Sequence, residues 1–483
     1  MSGNYQEFLD TKTHLGTFDG FKPIALPDCL FDFQRALTEW AIRKGRAAIF
    51  ADCGLGKTIM QLVWADNVVR HTNANVLIIT PLAVASQTIT EGEKFGIECY
   101  QSRDGQVKGK ITVTNYEKLH LFDANDYTGL VLDESSILKS YSGATRKRIT
   151  RFMAKKPYRL LCTATAAPND YIELGTSSEA LGELSHSDML ARFFKYLDDK
   201  GQKKENRLQA AAEETIYHDN SYYQKLSYRI SQTIGQWRLK HHAVDNFWKW
   251  VASWSRACRM PSDIGFINNG FKLPPLIVND LIISAKEPAP GKLFELPAIE
   301  LYEERQERKR TLTERTDYVA NLVNHDQSAV VWCHLNDEAD RLEKIIPDAQ
   351  QIAGRTPDDK KIELYDAFLK GELRVLVIKP KIGAWGLNWQ HCNHVVTFAS
   401  HSYEQYYQSI RRCWRFGQKN PVKLDVIATA GEVKVLENMR RKAERAEIMF
   451  NSLVKHMNDA LIIKKVDTHI NKTEVPSWLS QNN

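Results

Sequence analysis

Residues 51–58, with the sequence Ala-Asp-Cys-Gly-Leu-Gly-Lys-Thr, constrain the fold of this chain more than any other stretch. They follow an apolar run at residues 47–50 that is typical of a buried strand, and they precede a mostly apolar run at residues 59–64 that predicts a helix. A glycine-bearing turn between a strand and a helix can hold an anion, because backbone N–H groups and the positive end of the helix dipole point into it. The sequence therefore predicts an α/β fold with a phosphate-binding loop.

The loop residues match the groups that a nucleoside triphosphate and its metal ion need. Gly54 and Gly56 let the backbone approach the phosphates closely, and Lys57 is long enough to reach the outer phosphates. The hydroxyl of Thr58 can bind Mg²⁺. We therefore expect ATP and Mg²⁺ at this loop. Gln34, upstream of the loop, has an amide that can read the adenine edge, although an ordinary surface position is the alternative.

A pair of adjacent acids supports this interpretation. Residues 130–132 form an apolar run that ends in Asp133 and Glu134. One carboxylate can hold Mg²⁺, and the other can orient or deprotonate the attacking water. Because the acidic pair follows the phosphate loop at a distance typical of one domain, the two signals together indicate ATP hydrolysis. A later apolar run ends in Thr163 and Thr165, whose hydroxyls are placed to sense the γ-phosphate.

Polar residues also end two other predicted strands of this half. Thr80 follows the apolar run at residues 76–79, and Thr114 and Asn115 end the run that starts at residue 111. The carboxyl ends of parallel strands carry the ligand-binding loops of a sheet, so these side chains can hold a nucleic-acid phosphate backbone. The alternative is that they are plain turn residues.

The composition of the 483-residue chain limits the classes of protein to which it can belong. Its net charge of +6 permits nucleic-acid binding through a local basic face without requiring it. Its eight cysteines are scattered, with no C-x-x-C pair, so we expect reduced thiols in a cytoplasmic protein and no disulfide or zinc framework. The polar N-terminus and the absence of an apolar run near about 18 residues argue against secretion and membrane spanning.

Residues 170–270 form a polar, mostly helical middle segment that is too long for a simple connection. One predicted helix there has a single apolar face, which we expect to belong to the core. This face comprises Phe247, Trp250, Val251, Trp254 and Cys258. Trp248 lies off the face and is the better candidate for an external contact. Basic residues of the segment either line duplex phosphates or solvate the helices. They are Lys225, Arg229, Arg238, Lys240, Arg256 and Arg259.

The second half of the chain predicts another α/β domain, entered at the prolines of residues 274–290 and built on apolar strands such as residues 375–378. Arg412 and Arg415 are three residues apart, so on a helix they share a face. Guanidinium groups that reach across a cleft neutralise charge on a transferring phosphoryl group, which predicts ATP between the two domains. We expect a long helix at residues 432–457 to pack onto the second domain.

Two motifs of the first half resemble those of superfamily 2 helicases in the form used by the SNF2 family. Residues 52–58 are similar to that family's phosphate loop. Residues 133–140, Asp-Glu-Ser-Ser-Ile-Leu-Lys-Ser, resemble its Walker B region, in which a lysine follows the acids at the same distance. Ser136 stands where the family usually has histidine.

Later motifs extend the resemblance in the family's order. Residues 352–357 resemble a loop of its second motor domain, and residues 381–388 resemble motif V, with Pro380 in place of the usual serine or threonine. Residues 408–418 resemble motif VI, with Arg411 at a position that is often glycine or acidic. Residues 237–266 resemble a helical insertion of phage-encoded members of the group.

The resemblance implies two RecA-like P-loop domains, each a parallel sheet flanked by helices, with a helical insertion between them. It divides the chain into five parts. They are a lead-in (1–30), an ATP-binding domain (31–182), the insertion (183–270), a second RecA-like domain with arginine fingers (271–463) and a tail (464–483).

The resemblance also implies a role for each matched residue. Asp52 joins the phosphate loop, Gln34 reads adenine, and Gly386 and Asn388 meet the nucleotide from motif V. The implied catalytic residues are Lys57, Glu134, Arg412 and Arg415. Asp133 supports Mg²⁺ together with Thr58. The implied DNA contacts are Thr80, Thr114, Asn115, Thr356 and Lys381.

The activity implied by the resemblance is DNA-stimulated ATP hydrolysis that drives movement along duplex DNA or its remodelling. A strand-separating or branch-migrating helicase would share every motif and is the first alternative. A nucleotide-gated DNA-binding or recruitment module without motor activity is the second. The expected partner is duplex or branched DNA, any protein partner is left undefined, and the expected location is the cytoplasm of a bacterial or phage-infected cell.

Overall fold

The computed structural model describes residues 18–139, 143–167, 171–197, 233–234, 237–268, 270–284, 301–383 and 388–468. Within these residues the chain forms two parallel sheets flanked by helices and a small antiparallel sheet. This architecture confirms the predicted α/β fold class.

Sixteen strands occur in the described residues and are numbered in chain order. They are β1 Arg46–Ala51, β2 Asn75–Thr80, β3 Tyr100–Gln101, β4 Ile111–Asn115, β5 Tyr127–Asp133, β6 Tyr158–Cys162, β7 Phe194–Tyr196, β8 Thr233–Ile234, β9 Trp237–Leu239, β10 Ser255–Cys258, β11 Leu276–Ile283, β12 Ala329–Trp332, β13 Ala349–Ile352, β14 Val375–Ile378, β15 His394–Phe398 and β16 Val422–Thr429.

Fourteen α-helices connect or flank these strands in the described residues. They are α1 Asp32–Lys44, α2 Lys57–Thr72, α3 Ala85–Phe95, α4 Ala144–Met153, α5 Glu173–Leu181, α6 His186–Phe193, α7 Val244–Trp254, α8 Leu301–Arg310, α9 Leu312–Leu322, α10 Asn336–Ile345, α11 Asp358–Lys370, α12 Pro380–Gly383, α13 Tyr403–Ile410 and α14 Val433–Thr468.

The first sheet has seven parallel strands in the order β10-β1-β6-β5-β2-β4-β3. Its central strands carry apolar side chains on both faces because helices cover both sides of the sheet. Cys162 of β6 lies between Ile49 of β1 and Asp133 of β5 in the register. The loops that follow these three strands therefore meet at one edge of the sheet.

The second sheet has six parallel strands in the order β11-β16-β15-β12-β14-β13. Its core forms two layers, one on each face, because every residue of β12, β14 and β15 is buried. Helix α13 follows β15 after a short loop and leads into the segment that contains Arg412 and Arg415. This topology brings the predicted arginine pair to the carboxyl edge of the second sheet.

The middle segment is not purely helical in the described residues. Strands β7, β9 and β8 pair antiparallel in a small sheet. Strand β10 pairs in parallel with β1 and is the edge strand of the first sheet. The sequence prediction placed residues 255–258 within a helical insertion, because a four-residue strand carries too little periodic signal to be separated from the helix before it.

The tryptophan-bearing helix α7 confirms one prediction and corrects another. Its predicted apolar face is buried, with Phe247, Val251 and Trp254 at 0% exposure. Trp248, predicted to make an external contact, is only 2% exposed, and its ring lies 5.3 Å from that of Tyr171. The prediction for Trp248 is therefore wrong, because α7 is covered on more than one side.

Helix α14 packs against both domains. Its early apolar residues Leu436 and Met439 belong to the core of the second domain, as predicted. Its later residues Phe450, Leu453 and Met457 belong to the core of the first domain. The expectation that the whole helix packs onto the second domain is therefore correct only for its first turns.

Candidate active site between the two sheets

The phosphate loop has the backbone conformation that its glycines predict. Gly54 and Gly56 have φ values of 91° and 75°, a region that residues with a Cβ rarely adopt. The Nζ of Lys57 donates to the carbonyl oxygens of Ala51 at 2.9 Å and Asp52 at 3.2 Å. The ammonium of Lys57 is thus held in the turn where the phosphates of a nucleotide are predicted to bind.

Gln34 contacts the phosphate loop directly. Its Nε2 donates to the carbonyl oxygen of Leu55 at 3.0 Å, and its Oε1 accepts from the backbone N–H of Phe31 at 3.1 Å. A Cβ atom at Gly56 would lie 2.3 Å from Gln34 Nε2, so the glycine is required for this close approach. Gln34 is therefore a buried residue that supports the loop, and its predicted contact with adenine stays a prediction.

The two predicted acids lie at the end of β5. Oδ1 of Asp133 accepts from Nε2 of Gln61 at 2.8 Å, and the backbone carbonyl of Asp133 accepts from the hydroxyl of Tyr116 at 2.6 Å. Glu134 has a φ of 59°, a left-handed conformation that is uncommon for a residue with a side chain and that is often found at functional sites. The backbone thus turns sharply at the residue predicted to activate water.

Burial and neighbouring cations have opposite effects on the pKa of these two carboxyls. Burial raises the pKa of both Asp133 and Glu134 above the ordinary values of the free side chains. The positive charges of Lys57 and Arg412 act in the opposite direction on both groups. Since Lys57 comes from the first domain and Arg412 from the second, both domains contribute charge to one site.

Thr163 links β6 to the acidic pair. Its hydroxyl donates to Oε1 of Glu134 and accepts from the backbone N–H of Thr165 at 3.0 Å. The hydroxyl of Ser136 also donates to Oε1 of Glu134, at 3.3 Å. Ser136, which replaces the histidine expected from the resemblance, therefore makes its own contact with the predicted base.

The predicted arginine fingers are held by polar side chains of the second domain. Nη2 of Arg412 donates to Oε1 of Gln408 at 2.8 Å, and Nη1 of Arg415 donates to Oδ1 of Asn388. Burial and the neighbouring Arg412 lower the pKa of Arg415. Gly386, the other predicted nucleotide contact of motif V, lies outside the described residues.

The phosphate loop and the arginine segment are in contact. A Cβ atom at Gly54 would lie 2.9 Å from the backbone nitrogen of Phe416 and 3.6 Å from Cβ of Arg415. Asp52 accepts from the hydroxyl of Tyr407 at 2.6 Å and forms an ion pair with Arg411. The structure therefore brings Lys57, Asp133, Glu134, Arg412 and Arg415 together at one interdomain cleft.

The residues predicted to contact DNA fall into two groups. Thr80, Thr114 and Asn115 are between 0% and 3% exposed, and Asn115 accepts from the backbone N–H of Lys118 at 3.1 Å as a helix cap. Thr356 is half-buried, and Lys381 is exposed. The DNA contacts stay predictions.

Sequence reasoning missed several residues of this site. Gln61 follows Lys57 by one helical turn of α2, so the i,i+4 spacing was a usable signal. Tyr407 and Glu404 carry no comparable signal, because their partners Asp52 and Lys139 belong to the other domain. Asp52 was predicted to join the phosphate-binding set. Its carboxylate accepts from the backbone N–H of the next residue, Cys53, and from the guanidinium of Arg411 in motif VI.

The residues present fit Mg²⁺ bound together with phosphates. Thr58 and Gln61 are three residues apart on α2 and share one face of it, and Gln61 donates to Asp133, so the hydroxyl of Thr58 lies on the side of α2 that faces this carboxylate. Mg²⁺ in nucleotide sites commonly uses one or two protein ligands, phosphate oxygens and water. Among the described residues, no group of three or more His, Cys, Asp or Glu could hold a metal ion by itself.

Comparisons with known proteins agree with this architecture. The profile of the helicase conserved C-terminal domain matches residues 314–417. The DNA annealing helicase and endonuclease ZRANB3 of Mus musculus is 23% identical over 464 residues, which cover 88% of this chain and 41% of that protein. The chain thus spans less than half the length of this curated relative.

Solved structures of another helicase share the fold. Two structures of the DUF1998 helicase MrfA, one bound to DNA and one bound to DNA and AMPPNP, superpose with TM-scores of 0.51 and 0.50. Sequence identities are 10% and 11%, and the match covers 86% of this chain and about half of each of those chains. The likeness supports two RecA-like domains around the cleft.

The two parallel sheets flanked by helices fit the two RecA-like domains of helicase structures. Its second half contains a helicase conserved C-terminal domain. The similarity to ZRANB3 and this domain together support a superfamily 2 helicase. In the described residues, no helix combines the length and apolarity needed to cross a membrane.

Proposed function

We propose that this chain is a DNA-stimulated ATPase of the SNF2 type that moves along duplex DNA or remodels it. One observation carries the proposal: the carboxyls of Asp133 and Glu134 lie within the electrostatic reach of Lys57 from one domain and Arg412 from the other. A charged nucleotide held there would be in contact with both domains, so its hydrolysis would change the contact between them.

Each side chain has a chemical task in this proposal. Lys57 and the backbone amides at Gly54 and Gly56 bind the phosphates, and Asp133 with Thr58 holds Mg²⁺, which would screen phosphate charge when bound. Glu134 accepts a proton from the attacking water. Its contact with Thr163 orients the carboxylate. Arg412 and Arg415 stabilise the charge that develops on the γ-phosphoryl group.

Movement on DNA would follow from alternation between a closed and an open cleft. In this proposal, the loops at the carboxyl edges of both sheets hold successive phosphates of one strand. If each domain grips the backbone differently in the two states, one hydrolysis cycle gives one step. The structures of MrfA bound to DNA support DNA as the partner.

The direct test is the rate of phosphate release from ATP and Mg²⁺. We expect slow turnover without DNA and faster turnover with duplex, measured beside single-stranded and branched DNA of equal nucleotide concentration. Displacement of a triplex-forming strand from duplex then reports translocation. Absence of phosphate release with every DNA would overturn the enzyme assignment and favour a nucleotide-gated binding module.

A second candidate, favoured by the name of the relative ZRANB3, is an annealing or branch-migrating helicase. Such an enzyme would use the same cleft and differ in its DNA substrate. A labelled forked duplex and a pair of complementary strands coated with a single-strand-binding protein distinguish the candidates. Strand separation or annealing that requires ATP supports this alternative, whereas triplex displacement alone supports translocation.

A further inference from the structure

Asp52 is bound by the second domain. The residue directly follows β1, before the turn of the phosphate loop, and is 6% exposed. Its Oδ1 accepts from the backbone N–H of Cys53 at 2.7 Å and from the hydroxyl of Tyr407 at 2.6 Å, and its Oδ2 accepts from Nη2 of Arg411. Both carboxylate oxygens are therefore engaged, and two of the three donors cross the domain boundary.

Arg411 is fixed on its own domain before it reaches Asp52. Its guanidinium lies 4.8 Å from the ring centroid of Trp414 on the same domain. Its Nη2 also donates across the domain boundary to the carbonyl oxygen of Cys53 at 3.2 Å. Trp414 in turn donates to the carbonyl oxygen of Pro274 at 2.7 Å. Arg411 is 2% exposed, so this ion pair is buried between the domains.

A second interdomain ion pair involves helix α13, and here the second domain supplies the acid instead of the base. Glu404, one turn before Tyr407 on α13, pairs with Lys139, which follows the acidic pair of the first domain. The second domain thus contributes the acid Glu404 on α13 and the base Arg411 just beyond the end of α13. Two contacts of opposite sign fix both the position and the direction of this helix relative to the first domain.

We propose that Asp52, Tyr407 and Arg411 form an interdomain clasp that positions the neighbouring Arg412 and Arg415 over the phosphate loop. The three act as positioning residues, since their side chains contact one another, Cys53 and Trp414. This inference rests on the proposed ATPase function. The physical reason is that a buried charge without its partner is costly, so the cleft closes stably only when Asp52 and Arg411 meet.

The test uses the full chain with Arg411→Gln, Asp52→Asn, the double variant and Tyr407→Phe. The control is Arg341→Gln, which removes an exposed ion pair with Asp317 (2.7 Å) within the second domain. We expect either single charge change to lower kcat by roughly 30-fold or more, and the double variant to recover at least part of that loss because no charge is left unpaired. Tyr407→Phe should lower kcat by roughly threefold to tenfold, since one hydrogen bond is lost.

Two further measurements distinguish positioning from nucleotide binding. The Kd of a fluorescent ATP analogue should change less than threefold in Arg411→Gln and Tyr407→Phe, since Lys57 and the loop amides remain. Small-angle X-ray scattering without nucleotide should give a larger radius of gyration for Arg411→Gln and Asp52→Asn than for wild type and Arg341→Gln. Circular dichroism verifies that each variant is folded.

The outcomes separate this inference from the proposed function. If the wild type hydrolyses ATP and each single variant changes kcat by less than twofold, the clasp is overturned and the ATPase assignment stands. If wild type releases no phosphate, the scattering comparison still decides, since equal radii of gyration for all variants would overturn the clasp. A double variant whose fold loss in kcat equals the product of the two single-variant losses would also overturn it.

Discussion

Gly54 of the phosphate loop lies directly against Phe416 of the second domain, where a Cβ atom would be 2.9 Å from the backbone nitrogen and 3.1 Å from Cβ. Phe416 also stacks on Phe271, with ring centroids 4.4 Å apart. Because Phe271 packs edge-on against Phe33 of α1, the contact joins both domains through one aromatic cluster. The cleft is closed to within van der Waals distance at this point.

Gly54→Ala should reduce ATP turnover by at least about tenfold. The alanine methyl group would clash with the backbone of Phe416, and a φ of 91° is itself strained for alanine. Steady-state kinetics measures the effect. The matched control is Gly371→Ala, at a φ of 77° with nothing within 4 Å of the added Cβ atom. If both variants lose activity equally, backbone strain and not the contact with Phe416 is the cause.

Lys57→Ala should abolish turnover and weaken ATP-analogue binding. The substitution removes the ammonium that Ala51 and Asp52 hold in the turn. Phosphate release and fluorescence titration measure the two effects. Lys360→Ala, which removes an exposed lysine paired with Glu363, serves as the control. Turnover within tenfold of wild type would show that the phosphate loop is wrongly assigned.

Glu134→Gln should leave ATP bound and uncleaved. The amide is nearly isosteric and keeps the hydrogen bond from Thr163, but it cannot accept a proton from water. We expect kcat to fall by about 10²–10⁴-fold, with analogue affinity near that of wild type. Rapid-quench measurement of a single turnover gives the rate of ATP cleavage, and titration with the analogue gives the affinity. An unchanged single-turnover rate would remove Glu134 from the role of base.

Arg415→Ala should lower turnover by on the order of 10³-fold, as expected for an arginine finger. The variant also frees Asn388, so Asn388→Ala is the matched control for the loss of that contact. The control should have a smaller effect than Arg415→Ala, because it keeps the guanidinium. An effect of Arg415→Ala within about tenfold would mean that Arg415 does not act on the phosphoryl group.

Asp425→Asn should destabilise the second domain at neutral pH. Burial alone would raise the pKa of Asp425, but hydrogen bonds from His394, Lys423 and Asn279 lower it to about 2. A carboxyl whose folded pKa is depressed stabilises the protein above its unfolded pKa, and that contribution disappears as the pH falls toward about 2. We expect a loss of about 1–3 kcal/mol at pH 7 in urea unfolding.

Urea unfolding at several pH values tests whether the pKa of Asp425 is lowered in the folded state. The difference between wild type and Asp425→Asn should be full at pH 7 and shrink below about pH 4, since the wild-type carboxyl then takes up a proton. Asp326→Asn, at an exposed position on the neighbouring loop, is the control. A difference that grows toward acid pH would contradict the assignment.

Local sequence patterns predicted the parts of the site that lie within one element. The glycine spacing at Gly54 and Gly56 requires a particular backbone, and the apolar run before Asp133 requires a buried strand that ends at the acids. The apolar face of α7 that contains Phe247 and Trp254 was predicted to belong to the core from the spacing of its residues, and it is buried. Burial on all sides of Trp248 was not predictable, because helical periodicity describes one covered face.

By itself, the sequence determined the order of the motifs and the buried strands and predicted the roles of Lys57 and Glu134, since each depends on neighbours a few residues away. Only the tertiary structure decided that β10 joins the first sheet, that α14 crosses from one core to the other, and that Asp52 pairs with Arg411. Those contacts join residues hundreds of positions apart, and their geometry is set by how whole elements pack, which no local period encodes.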